Sequence, residues 1–122
     1  EGKQGEVWVG GTPDVLLLDR SGLVNARFGS MNLPLGIDVD DAANVPPQRF
    51  EWTPGDQLVL CSDGLLEAHN RMGEPFGSQR LEATLRDAAP ARRHDSVRDA
   101  LAVHLDGALA HDDVSLMVID LE

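Results

Sequence analysis

The chain has 122 residues, 42% of them apolar, which suits one domain with a moderate core. Its formal net charge is −11, from 21 acidic and 10 basic residues. That balance argues against a nucleic-acid or anionic-membrane surface, because phosphate groups would be repelled, and it is compatible with cation binding. The one cysteine, Cys61, excludes an internal disulfide and fits a reducing, cytoplasmic setting. No apolar run approaches the ~18 residues of a membrane span, and the first residues carry no signal-peptide pattern.

Taken in order, Glu1-Gly2-Lys3-Gln4-Gly5 reads as a hairpin turn with no strand before it, which suggests a piece of a larger domain. Glu6 to Val9 alternates as a strand. Val15 to Leu18 is a strongly apolar strand, turned back by Asp19-Arg20-Ser21-Gly22 onto Leu23 to Phe28. Leu33-Pro34-Leu35-Gly36-Ile37 suits an edge or a packed loop. The acidic cluster Asp38, Asp40 and Asp41 lacks the central glycine and closing glutamate of a calcium loop, so it reads as a solvated loop. Arg49 to Thr53 is a strand, and Thr53-Pro54-Gly55-Asp56 turns into the next.

That next strand, Gln57 to Ser62, holds the apolar run Leu58-Val59-Leu60-Cys61 and stops at Ser62-Asp63-Gly64. A carboxylate therefore stands where a buried strand leaves the core. Leu65 to Ala68 is a short helical turn ended by Asn70 and Gly73. Ser78 is the expected N-cap of a helix from Gln79 to Ala89, with Leu81 and Leu85 on one face and Pro90 as its stop. Ser96 with Asp99 resembles a capping box opening a second helix, whose stripe is Val97, Leu101, Leu105 and Leu109. Gly107 marks its end. Val114 to Leu121 is nearly all apolar and is expected to be a central strand buried on both faces. There are no repeats, no low-complexity tracts and no linkers.

If the strands ending at Asp63 and beginning after Asp112 are antiparallel neighbours, the two aspartates share one rim of the sheet. Two close carboxylates repel, and a divalent cation relieves the repulsion. Magnesium and manganese suit such oxygen sites. The plain alternative is that both carboxylates are solvated turn residues.

An ordered set of motifs now becomes recognisable. Leu60-Cys61-Ser62-Asp63-Gly64-Leu65-Leu66-Glu67-Ala68-His69-Asn70 resembles the strand–Asp-Gly–Leu-x-Glu-Ala-x-Asn segment of bacterial serine/threonine phosphatases of the SpoIIE/RsbU type, within the metal-dependent type-2C superfamily. Gly73-Glu74-Pro75-Phe76-Gly77, Arg80-Leu81 and Asp112-Asp113-Val114-Ser115-Leu116 continue the match, and Leu33-Pro34-Leu35-Gly36 and Pro54-Gly55-Asp56 fit in order and spacing. The resemblance covers nearly the whole chain. It implies an α+β sandwich of two antiparallel sheets flanked by helices, with residues 1–122 as the C-terminal part of the domain. It also implies two manganese or magnesium ions held in part by Asp63 and Asp112, both catalytic through the metal, with Gly64 letting the backbone turn tightly there. Asp113 is supporting, and Glu67 positions the helix.

Two features depart from the family pattern. The Asp-x-Ser-Gly-His-Gly-like segment, whose aspartate bridges both metals in relatives, does not occur here and is expected upstream of Glu1. Thr12, in Gly10-Gly11-Thr12-Pro13, replaces the histidine of the usual Ala-Gly-His-Pro.

Other chemistries lack their residues. Cys61 has no activating arginine between Ser62 and Asn70, and reads as a core residue. There is no Gly-x-Ser-x-Gly elbow and no Gly-x-x-x-x-Gly-Lys loop. His69, His94, His104 and His111 show no zinc-ligand spacing; His111 beside Asp112 reads as an exposed loop residue. Trp8 and Trp52 are expected in the core or half buried. The resemblance implies an active phosphatase on a phosphorylated regulatory protein, such as an anti-sigma-factor antagonist. An upstream receiver or sensor domain is expected in the same polypeptide, and the family reading allows a homodimer. The alternative is a non-catalytic adaptor that keeps the fold to bind a regulatory partner.

Overall fold

The computed structural model describes residues 3–29, 47–108 and 113–122. Among these, six strands and three helices form three layers. The strands are β1 (Lys3–Val7), β2 (Val15–Leu18), β3 (Val24–Phe28), β4 (Gln48–Trp52), β5 (Gln57–Cys61) and β6 (Leu116–Asp120). The helices are α1 (Asp63–Glu67), α2 (Gly77–Asp87) and α3 (Arg93–Leu105), the last preceded by a 3-10 turn at Pro90–Arg92. A four-stranded antiparallel sheet has the order β3-β2-β5-β6, and β1 pairs with β4 in a second, two-stranded sheet.

β2 is buried along its whole length because its two faces meet two different layers. Leu16 and Leu18 face the helices with Val59, Leu65, Phe76, Leu81, Leu85 and Val97. Val15 and Leu17 face the second sheet with Val9, Phe28 and Phe50. This is the period-2 alternation of a strand between two apolar layers. The α+β sandwich with flanking helices is the architecture expected from the resemblance.

Several local expectations change. Gly5 is not in a turn: Lys3, Gln4 and Gly5 pair with Trp52, Glu51 and Phe50. A Cβ at Gly5 would lie 2.7 Å from the Phe50 ring, so the ring takes the side-chain space that glycine leaves empty. With that pairing, the argument from an orphan turn falls away. The strand buried on both faces is β2, not β6. β6 is an edge among the described residues, with Met117 and Ile119 exposed. Apolar continuity alone does not distinguish a central strand from an edge, because burial depends on neighbours contributed from elsewhere in the chain. Trp8 lies beyond the end of β1 and is also exposed, whereas Trp52 packs on the inter-sheet cluster.

Both long helices begin earlier than their capping signals indicate. Ser78 lies inside α2, which is preceded by Phe76, and Ser96 lies inside α3, which is preceded by Arg92; no side-chain cap bond forms at either end. Tertiary packing of Leu81, Leu85 and Val97 sets these helices, and a capping residue is a weak signal against it. Pro90 ends the first helix as expected but also opens the 3-10 turn, where a missing N–H is harmless. The segment 30–46, with the Leu33–Ile37 stretch and the acidic cluster, and also Leu109, His111 and Asp112, lie outside the described residues.

One buried cation ties these layers together. Arg93 is 0% exposed. Its guanidinium donates to the carbonyls of Leu85 (3.1 Å), Asp19 (3.3 Å) and Arg20 (2.9 Å), and to Gln57 Oε1 (2.8 Å). Gln57 in turn donates from Nε2 to Pro90 O and to Asp120 Oδ1. Burial lowers the Arg93 pKa, and the Asp19 charge offsets part of that. Replacing Arg93 with Met strands these acceptors in a dry interior. An expected loss of about 3 kcal/mol or more follows from the cost of unpaired buried groups. Urea denaturation of the variant checks it, and Arg93→Lys should recover little, since one ammonium cannot span the guanidinium's fork. A loss under about 1 kcal/mol would show that water replaces the clamp.

Candidate metal and phosphate site

Asp63 opens α1 at the point where β5 ends, and its side chain is exposed. The preceding residue has extended backbone, with φ −87° and ψ 162° at Ser62, so the chain turns sharply out of the sheet there. Gly64 is a buried helical residue whose φ is outside the left-handed region. The backbone conformation at this position therefore does not itself demand glycine.

Ser62 fastens the rim. Its N–H donates to Ser115 O (3.0 Å), its hydroxyl donates to Asp113 O (3.2 Å), and it accepts from Ser115 N–H (2.9 Å). β5 and β6 are antiparallel neighbours, with Cys61 opposite Leu116. The expected strand pairing is therefore correct, and it brings Asp113 beside Ser62. Asp112 itself lies outside the described residues. Sequence reading missed Ser62, whose hydroxyl joins two segments 51 residues apart.

Asp63 opens into a groove of about 350 Å³ lined also by Asp14, Leu16, Arg27, Cys61, Ser78 and Glu82. Its outer wall is an ion pair between β3 and α2: Arg27 Nη1 donates to Glu82 Oε2 at 2.7 Å, and Nη2 donates to Oε1. This fork-to-fork geometry is the strong form of a surface pair. It raises the Arg27 pKa and holds the Glu82 carboxyl below its ordinary 4.5, with the hydrogen bond as the largest cause in each case. The Cys61 thiol is pushed up by burial first and by the Asp63 charge second. It is thus kept protonated and is a poor nucleophile, in line with its expected packing role. A larger hollow of about 790 Å³ over β1 and β4 is flanked by the Glu6–Arg49 pair and holds none of the expected site residues.

The loop after α1 is held by Asn70 and His104. Asn70 Oδ1 accepts from the N–H groups of Met72 and Glu74, both at 2.9 Å. His104 Nε2 lies 3.0 Å from Ala68 O and 2.9 Å from Glu74 O, and Nδ1 lies 2.8 Å from Arg80 Nη1. Carbonyls only accept and arginine only donates, so this pattern assigns the proton to Nε2. Glu67 is exposed, as is Thr12 in the family's histidine position.

The donors suit a hard cation. The Asp63 carboxylate has no hydrogen bond or ion pair among the described residues, and oxygen ligands of this kind are those magnesium and manganese take. The described residues alone do not assemble a group of three ligating side chains.

A family model described as stage II sporulation protein E (SpoIIE) matches residues 1–122. The chain belongs to the SpoIIE family. It is 26% identical over 111 residues to protein IcfG of Synechocystis sp., a match that covers 89% of this chain and 17% of that protein. Among solved structures it is similar to the SiaA-PP2C domain of Pseudomonas aeruginosa, with a TM-score of 0.66, 20% identity, and 89% of this chain and 43% of that one covered. The RsbU and RsbW domains of a Mycobacterium tuberculosis protein match with a TM-score of 0.62 and 23% identity, over 96% of this chain and 31% of that one. The phosphatase domain of SpoIIE from Bacillus subtilis, soaked with manganese, matches with a TM-score of 0.61 and 13% identity, over 100% and 57%. At these identities the structures establish the fold, and this SpoIIE-family chain spans only part of each relative.

The Arg27–Glu82 pair has a definite pH signature. Because the Glu82 pKa is depressed on folding, its contribution is present above the ordinary 4.5 and is lost as pH falls through the lower folded value. Wild type should therefore be more stable than Glu82→Gln at pH 7, and this advantage should shrink towards pH 3. Thermal melts of both proteins across that range read it. An advantage that stays constant with pH would remove the ion pair as its source.

Proposed function

We propose that this chain is the C-terminal, metal-ligating part of a metal-dependent phosphatase acting on phosphoserine or phosphothreonine of a regulatory protein. The observation that supports this most directly is the placement of Asp63. It is an exposed carboxylate at the exit of a buried strand, within a groove, and Ser62 clasps beside it the backbone of the residue that follows Asp112. In this reading Asp112 completes the same rim, and Asp113 supports it through its backbone. An anti-sigma-factor antagonist is the kind of phosphorylated partner proposed, with a receiver or sensor domain upstream.

Bound at Asp63 and Asp112, two magnesium or manganese ions would supply a hydroxide from water and positive charge to receive a dianionic phosphate. The residues of this chain have distinct tasks around that chemistry. Asp63 offers hard oxygen donors and a formal charge opposite to the cation. Ser62 holds the two halves of the rim in register. Burial of Leu65 beneath α1 keeps that helix seated on the sheet.

In the full-length protein, Asp63→Asn should weaken manganese binding, since asparagine keeps an oxygen but loses the charge. Asp112→Ala should lower phosphate release from the phosphorylated partner by several kcal/mol, the scale of metal stabilisation of a transition state. Affinity for the unphosphorylated partner should change by no more than about 1 kcal/mol, because one rim carboxylate is a small part of a protein interface. Calorimetric titration of manganese, phosphate release and partner affinity on the same variants read all three. Unchanged manganese affinity would exclude Asp63 as a ligand. Partner control that survives both substitutions in cells would favour the adaptor reading.

A further inference from the structure

Arg27 is the one basic side chain among the described residues that line the groove at Asp63, where it stands with the carboxylates of Asp14, Asp63 and Glu82. It pairs across the sheet with Leu16, and Leu16 pairs with Val59. Two strand spacings of about 4.8 Å each therefore separate its backbone from β5 by roughly 10 Å. Asp63 follows Val59 by four residues, at the start of α1 just past the end of β5. Arg27 and Asp63 line the same groove, so the guanidinium borders the Asp63 rim within a few residues of extended chain, each about 3.3 Å.

Its orientation is set by Glu82. The pair is end-on, through Nη1 and Nη2. A guanidinium held end-on keeps a second parallel fork, made by Nε–H and the remaining Nη2 hydrogen. Among the described residues, Nε of Arg27 donates to no acceptor, and the side chain is 49% exposed. The side chain is thus half exposed with its rotamer held by Glu82, so a carboxylate that docks on the Nε side finds that rotamer already fixed.

We infer that Arg27 is a specificity contact for an acidic side chain, Asp or Glu, lying a few residues from the phosphorylated residue of the substrate protein. The phosphorylation of that substrate rests on the function proposed above; the acidic neighbour rests on the groove. Glu82 on the same guanidinium and the nearby charge of Asp14 oppose an incoming carboxylate, so only one that reaches the Nε fork gains from the contact, which makes it selective for position as well as for charge.

The test uses the full-length protein with manganese and synthetic phosphoserine peptides. In each peptide a single Glu, Ala or Lys is scanned from four residues before to four after the phosphoserine. Wild type should favour one Glu position, two to four residues from the phosphoserine, over Ala by about tenfold, the usual scale of one charge-assisted fork. The gain should appear in KM and should shrink as salt is added. Within Arg27→Gln the Glu-to-Ala ratio should fall to within about twofold, and within Arg27→Lys it should be intermediate. A ratio taken within one variant cancels any general loss of activity. Fluorescence anisotropy with the same peptides gives the ratio even where no peptide is hydrolysed, so failure of the phosphatase reading is seen separately. Should Arg27→Gln not melt cooperatively, the wild-type scan decides. Tighter binding of Lys peptides, no positional preference, or the same preference in Arg27→Gln would each overturn the assignment.

Discussion

The fold depends on an arginine whose guanidinium meets no carboxylate among the described residues. Arg93 sits at the start of α3 and is wholly buried, and it spends its donors on three backbone carbonyls and one amide oxygen. Those acceptors belong to the end of α2, the turn between β2 and β3, and the first residue of β5. A buried charge is costly, and it is tolerated here because neutral acceptors surround it in good geometry. No buried side-chain nitrogen or oxygen is unsatisfied among the described residues. The same site explains Gly22: a Cβ there would stand 2.6 Å from the Arg86 backbone, and its φ of +90° is in the left-handed region. The close approach of that turn to α2 is what brings the carbonyls of Asp19 and Arg20 within reach.

β5 links this anchor to the candidate site. At its start, Gln57 is locked between Arg93, Pro90 and Asp120. At its end, Ser62 is bonded to Asp113 and Ser115. Between them, Val59 is buried against the helices while Leu58 and Leu60 pack towards the second sheet. A strand fixed at both ends and packed on both faces is a rigid mount, and a carboxylate at its tip is held without needing a hydrogen bond of its own. That combination suits a ligand whose lone pairs must stay available.

The groove beside Asp63 joins two kinds of constraint. The position of Asp63 follows from β5, while its outer wall follows from an ion pair between an edge strand and α2. The first depends on buried apolar contacts and is insensitive to pH and salt. The second is half exposed and titrates through Glu82. In the proposed reading, substrate selection and metal binding are thus carried by parts of the fold that respond differently to conditions.

The residues that form β2, β3, β4 and β5, the turn between β2 and β3, and the apolar face of α2 were legible in the sequence, because period-2 and period-3.6 patterns are local. The ordered motifs around Asp63 likewise pointed to the SpoIIE family and its sandwich, since motif residues keep their order whatever the packing. Three things were decided only in three dimensions. Lys3 to Gly5 became a strand because Phe50, far along the chain, covers Gly5. Among the described residues β6 became an edge, with Met117 and Ile119 exposed, although its run of apolar residues looks more buried than it is. Arg93, Ser62 and the Arg27–Glu82 pair acquired their roles from partners as far as 74 residues away. An arginine or a serine in isolation carries no sign of such a partner, because the sequence specifies a polar side chain's donors and acceptors but not which distant groups the fold will bring to them.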